Sequence, residues 1–69
     1  MMRTDLTSTV QELMKEVPKE KKELALNTFL AIYNSYPSCK SLIGTPEYYA
    51  RMDEKLSHAY ESAINETNN

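Results

Sequence analysis

A chain of 69 residues holds one domain; a single cysteine excludes an internal disulfide, and one cysteine with one histidine excludes a Cys/His zinc-finger set. With 41% hydrophobic and 26% charged residues, and a mean hydropathy of −0.61, the composition is too apolar for disorder and too polar for a membrane span. The net charge of −2 argues against a nucleic-acid binder, because the densest basic cluster, Lys19 to Lys22, is interleaved with Glu20 and followed by Glu23.

The first segment sets Leu6, Val10, Leu13, Met14 and Val17 on a stripe about 100° wide, which predicts a helix over about 5–17. Thr4 or Asp5 supplies its N-cap, with Ser8-x-x-Gln11 as a later capping-box alternative. Pro18 stops it at Val17, because the residue before a proline avoids helical dihedrals.

A second helix is predicted over about 18–35, with Pro18 at the first position, where its missing N–H has no helical partner to lose. Ala25, Leu26, Phe29, Leu30, Ile32, Tyr33 and Tyr36 cover an arc of roughly 160°, broad enough to touch two neighbours. Leu24 and Ala31 fall outside that arc, so Leu24 is expected to stay exposed unless a partner covers it.

Residues 37–44 read as a short helical or irregular connector, anchored by Cys39, Leu42 and Ile43, with Gly44 suited to the left-handed conformation that ends a helical turn. Thr45-Pro46-Glu47 is the sharpest start signal: an N-cap hydroxyl, a proline at the first helical position and an acid at the positive end of the dipole. The third helix is predicted over about 46–65. Its apolar positions are Tyr48, Tyr49, Met52, Leu56, Ala59, Tyr60, Ala63 and Ile64, with Asp53, Glu54, His58, Glu61 and Ser62 turned away. Residues 1–4 and 66–69 are expected to fray. The predicted fold is an all-α bundle of three helices in a single domain, 1–69, whose short connectors favour near-antiparallel neighbours.

No residue set points to catalysis. The only neutral-pH base, His58, has no nucleophile beside it except Ser62 four residues on, a pairing common on helix surfaces. Cys39 reads as a small buried hydrophobe rather than a reactive thiol. Asp53-Glu54 and the run Glu12, Glu16, Glu20 and Glu23 read as solvated faces, and neither a calcium loop nor a glycine-rich phosphate loop is present. The expectation is therefore no enzyme, no cofactor, no metal and no small-molecule substrate. Met1-Met2-Arg3 leads into Thr4-Asp5 rather than an apolar run, so a cytoplasmic location without signal peptide or membrane anchor is expected.

The stretch Gly44-Thr45-Pro46-Glu47-Tyr48-Tyr49, with Leu56, Ala59 and Glu61-Ser62-Ala63-Ile64, resembles the second helix of the small co-chaperones that escort type III secretion needle subunits. That resemblance, which spans about a third of the chain, implies a helical hairpin working with a second protein. Pro18 departs from it by interrupting what in that family is one long first helix.

Five tyrosines are many for this length, and tyrosine is enriched both at core margins and at protein interfaces. The function expected is a non-enzymatic helical interaction module of adaptor, inhibitor or co-chaperone type. It presents an apolar, tyrosine-rich face to a protein partner or to a second copy, with Leu24, Tyr48, Tyr60 and Ile64 as the candidate contact residues. The alternative is a DNA-binding regulator of helix-turn-helix type, although the would-be recognition helix sets Glu47, Asp53, Glu54, Glu61 and Glu66 against Arg51 and Lys55.

Overall fold

The computed structural model describes residues 2–68. Helix α1 spans Leu6–Glu16, and its N-cap is Asp5, whose extended backbone (φ −121°, ψ 118°) lets the carboxylate accept from the Ser8 amide at 3.0 Å and the Ser8 hydroxyl at 2.5 Å. The buried Thr9 hydroxyl is satisfied by donating to the Asp5 carbonyl at 2.8 Å. At the other end Val17 is extended (φ −103°, ψ 146°), as the following Pro18 requires.

Pro18 does not open the second helix as expected. It stays extended (φ −60°, ψ 153°), a 3₁₀ turn follows over Lys19–Lys21, and helix α2 spans Lys22–Ser35. The delay places two lysines at helix ends. Lys22 Nζ donates to the carbonyls of Met14 and Val17 at the end of α1, the latter at 3.2 Å, and Lys21 Nζ donates to the Thr67 carbonyl at 2.8 Å. The last carbonyls of a helix lack partners within it and carry its negative pole, so ammonium groups satisfy both demands. The basic cluster thus includes a pair of C-terminal caps.

The connector contains a second 3₁₀ turn, Lys40–Leu42, and closes on Gly44 at φ 92°, the left-handed region that a side chain would strain. Thr45 occupies the N-cap position of helix α3, Pro46–Thr67, but its hydroxyl donates to the Leu42 carbonyl at 2.7 Å and braces the connector instead of capping the helix. Pro46 holds the first turn, as expected. Helix α3 runs past the predicted end at residue 65, because Thr67 is buried and its carbonyl holds Lys21. The segments expected to fray are therefore tied down at Arg3 and at Thr67, while Met1 and Asn69 lie outside the described residues.

Three fully buried side chains, Leu13 of α1, Phe29 of α2 and Leu56 of α3, meet at the centre of an all-α bundle. Ala25, Ala59 and Ala63 are also fully buried, and their small side chains let α2 and α3 approach closely. These two helices form an antiparallel hairpin: Lys21, before α2, meets Thr67, and Tyr36, after it, meets His58. Helix α1 lies against both, its leading residue Arg3 bonded to Asp53 and its far end joined to Lys22. At about 1.5 Å per residue α1 is about 16 Å long and α3 about 33 Å, in a molecule of 39 × 21 × 15 Å. So α1 covers only the C-terminal half of α3, and the connector is what remains to shield the rest. No described helix is long and apolar enough to cross a membrane.

Leu56→Ala is expected to destabilise the chain by about 2–5 kcal/mol, while Leu24→Ala on the outer side of α2 stays within about 0.5 kcal/mol. Urea unfolding followed by circular dichroism measures both.

Candidate functional site

Where α1 is missing, apolar side chains reach the surface. Tyr49 lies seven residues before Leu56, on nearly the same side of α3; yet Leu56 is fully buried and Tyr49 is 53% exposed, because the segment that leads into α1 is bonded to α3 at Asp53, beyond Tyr49. Ile43, at the end of the connector, is 66% exposed. Tyr48 is half-buried against the core and meets Tyr49 edge-on, with ring centroids 5.4 Å apart. Leu30, placed inside the apolar arc of α2 by its spacing, sits at the margin of that arc and is partly exposed.

The connector leaves a cleft on either side. The larger, of about 350 Å³, is bounded by Tyr36, Pro37, Leu42, Arg51 and Lys55; the smaller, of about 170 Å³, by Tyr33, Ile43, Tyr48 and Met52. Cys39 lines both and is buried, as expected of a thiol that packs as a small hydrophobe. Arg51 at the rim of the larger cleft pairs with Glu47 at 3.1 Å, with both side chains more than half exposed.

Lys55 was not foreseen. Spacing sets it with Arg51 as a cation of the third helix and says nothing of its burial, whereas the structure buries it to 5% exposure, with Nζ 4.2 Å from the centroid of the Tyr33 ring. Its spacing carries a signal: it stands seven residues after Tyr48, three after Met52 and four before Ala59, on the buried side of α3. Among the described residues no carboxylate pairs with this ammonium and no acceptor hydrogen-bonds to it. The Nζ atom itself is not sealed from solvent, and the face of the Tyr33 ring adds a cation–π contact.

The four candidate contact residues are not brought together. Tyr60 and Ile64 share a shallow groove with Glu61 and Asn65, Tyr48 lines the smaller connector cleft, and Leu24 is 45% exposed on the side of α2 turned away from Phe29. Tyr60 is also occupied on one ring face, where the Arg3 guanidinium lies 4.1 Å from the centroid. The same Arg3 donates from its side chain to Glu12 at 2.7 Å and from its backbone to Asp53 at 2.8 Å, which fastens α1 to α3. Glu12, expected on a solvated face, is thus one arm of a clamp.

Charges in this clamp shift as its geometry dictates. The bond from Arg3 holds the Glu12 carboxyl below its ordinary 4.5, and the Arg3 amide, with the Ser57 hydroxyl, holds Asp53 below its ordinary 3.8. Asp5 is lowered by its bonds from Ser8. Tyr60 moves above its ordinary 10.0, first because burial disfavours the phenolate and then because Glu12 lies beside it.

His58 is exposed, and its Nδ1 shares a hydrogen bond of 2.5 Å with the Tyr36 hydroxyl rather than pairing with Ser62. Among the described residues no group of three or more His, Cys, Asp or Glu side chains converges in a way that holds a metal ion. No protein-family model, no curated protein and no solved structure matches the chain.

Carboxylates with lowered folded pKa values stabilise the fold fully above their ordinary values, and that contribution is lost as the pH falls below 4.5 for Glu12 and 3.8 for Asp5 and Asp53. The melting temperature is expected to decline on acidification through that window, and Asp53→Asn, which keeps an acceptor but removes the titration, is expected to flatten the decline. For Tyr60 the sign reverses: its contribution is complete below 10.0 and is lost as the pH rises through its raised folded value. The ultraviolet difference between wild type and Tyr60→Phe on alkaline titration measures it.

Proposed function

We propose that this chain is a non-enzymatic helical interaction module of adaptor, inhibitor or co-chaperone type. It works in the cytoplasm, where a lone thiol such as Cys39 stays reduced, and it binds a protein partner or a second copy through the end of the α2–α3 hairpin that α1 leaves uncovered. The observation that supports this reading is the joint exposure of Ile43 at 66% and Tyr49 at 53%, beside Tyr48, at the one end of the bundle without a third helix. Burying a large apolar side chain stabilises a complex by about 1.5–3 kcal/mol, so two such residues held in water favour association. Of the four candidate contact residues, Tyr48 belongs to this end. Leu24, Tyr60 and Ile64 extend the proposed surface only if the contact reaches the half of the bundle that α1 covers.

The DNA-binding alternative draws less support. Lys21 and Lys22 are engaged by helix carbonyls, Lys55 is buried, and Arg51 is paired with Glu47, which leaves α3 without a basic face for phosphate.

A photo-crosslinking side chain in place of Tyr49 is expected to join the chain to one protein species, or to a second copy, and Ile43→Asp is expected to lower that yield about tenfold to a hundredfold while helicity is kept. Parallel substitutions Leu24→Asp and Ile64→Asp map how far the contact extends. A chain that sediments as a monomer at all concentrations and forms no adduct in an extract of its host would overturn the reading.

A further inference from the structure

We propose that the larger connector cleft is a binding site for a small organic carboxylate, with Lys55 as its charge anchor and the apolar wall of Pro37, Leu42 and Tyr36 as the seat of its hydrocarbon body. This goes beyond a protein-binding role and differs from the expectation of no small-molecule ligand. Three observations carry it. The first is the ammonium. Lys55 is 95% withdrawn from solvent, sits on the Tyr33 ring, and uses none of its three donors on the described residues. A ring face compensates charge but accepts no N–H bond of ordinary strength, so the donors of this group are left to water or to a ligand.

The second is access. No described side-chain nitrogen or oxygen is both sealed from solvent and without a partner, so the Lys55 ammonium, which has no hydrogen-bond partner among the described residues, keeps contact with solvent. Lys55 is itself a wall of the cleft, whose volume of about 350 Å³ lies at the small end of the range of about 300–1,000 Å³ found for ligand pockets. The third is the character of the other walls. Both serines of the connector, Ser38 and Ser41, line the cleft with hydroxyls, and the rim charges divide between Arg51, paired to Glu47, and Glu54. Arg51 is thus already neutralised on the surface, while Lys55 is the cation left over inside. A carboxylate with an apolar tail matches one buried positive charge and an apolar wall. A phosphate, with more charge and no tail, matches neither the lone cation nor the apolar wall, and the unpaired rim carboxylate of Glu54 repels it more than it repels a singly charged ligand.

The test is a titration of the ¹³C-lysine, ¹⁵N-labelled chain with benzoate and hexanoate, each compared with its neutral amide, read at the Lys55 methylene signals and at the Cys39 and Leu42 amides. Saturable shifts are expected with the carboxylates, and affinity at least about tenfold weaker with the amides, as loss of a charged hydrogen bond implies. Lys55→Met, which keeps the length and removes the charge, is expected to abolish the carboxylate preference, and Arg51→Gln to retain it. Shifts that rise linearly without saturating, equal affinity for benzoate and benzamide, or an unchanged preference in Lys55→Met would each overturn the proposal. The amide comparison uses the wild-type chain and so stands even where Lys55→Met folds poorly. Because the readout is a small molecule on the chain alone, it is independent of whether a protein partner exists.

Discussion

An eleven-residue helix lying along one of twenty-two residues leaves about half of the longer helix without a third neighbour, and that mismatch shapes most of the molecule. Where α1 is present, Leu13, Phe29 and Leu56 are fully buried and the core closes. Where it is absent, a connector with a 3₁₀ turn takes its place beside the first turns of α3, and Tyr49 and the connector's own Ile43 stay exposed. The result is a small domain with a well-packed half and an open half. Such a chain has little apolar burial to lose, because small domains hide a lower fraction of their unfolded surface than large ones.

The basic side chains show how little net charge says about role. Arg3 clamps α1 to α3 through Glu12, Asp53 and the face of Tyr60. Lys21 and Lys22 satisfy helix carbonyls, where an ammonium meets both a missing donor and the negative pole of the dipole. Lys55 is buried against Tyr33, and among the described residues no carboxylate pairs with it. A tally of cations gives all of these the same weight, yet their surroundings give each a different task.

The two clefts and the open helix face arise at the same end for a single reason: the connector approaches α3 from beyond the reach of α1. Cys39 lies between the clefts, so the small buried thiol acts as the partition that separates the wall near Lys55 from the wall near Ile43 and Tyr48. The exposed apolar surface and the buried cation are therefore neighbours in the fold, although the two proposals they motivate rest on different chemistry.

Local patterns in the chain were sufficient for the helices themselves. Period-3.6 spacing located α1, α2 and α3; Asp5, the Val17-Pro18 junction, Gly44 and the Thr45-Pro46 start marked their ends; and Cys39 was readable as a packed thiol, because these features depend on residues within a turn or two of one another. What spacing could not convey was which part of a long apolar stripe would find a cover. Tyr49 and Leu56 look alike in sequence and differ in burial because the start of α1, held by Arg3 to Asp53, falls between their levels. The roles of Lys21, Lys22 and Lys55, and the scatter of Leu24, Tyr48, Tyr60 and Ile64 over separate surfaces, likewise depend on partners remote in the chain. Helix periodicity is a property of one segment, while burial and pairing belong to the contacts between segments, and only the assembled bundle decides those.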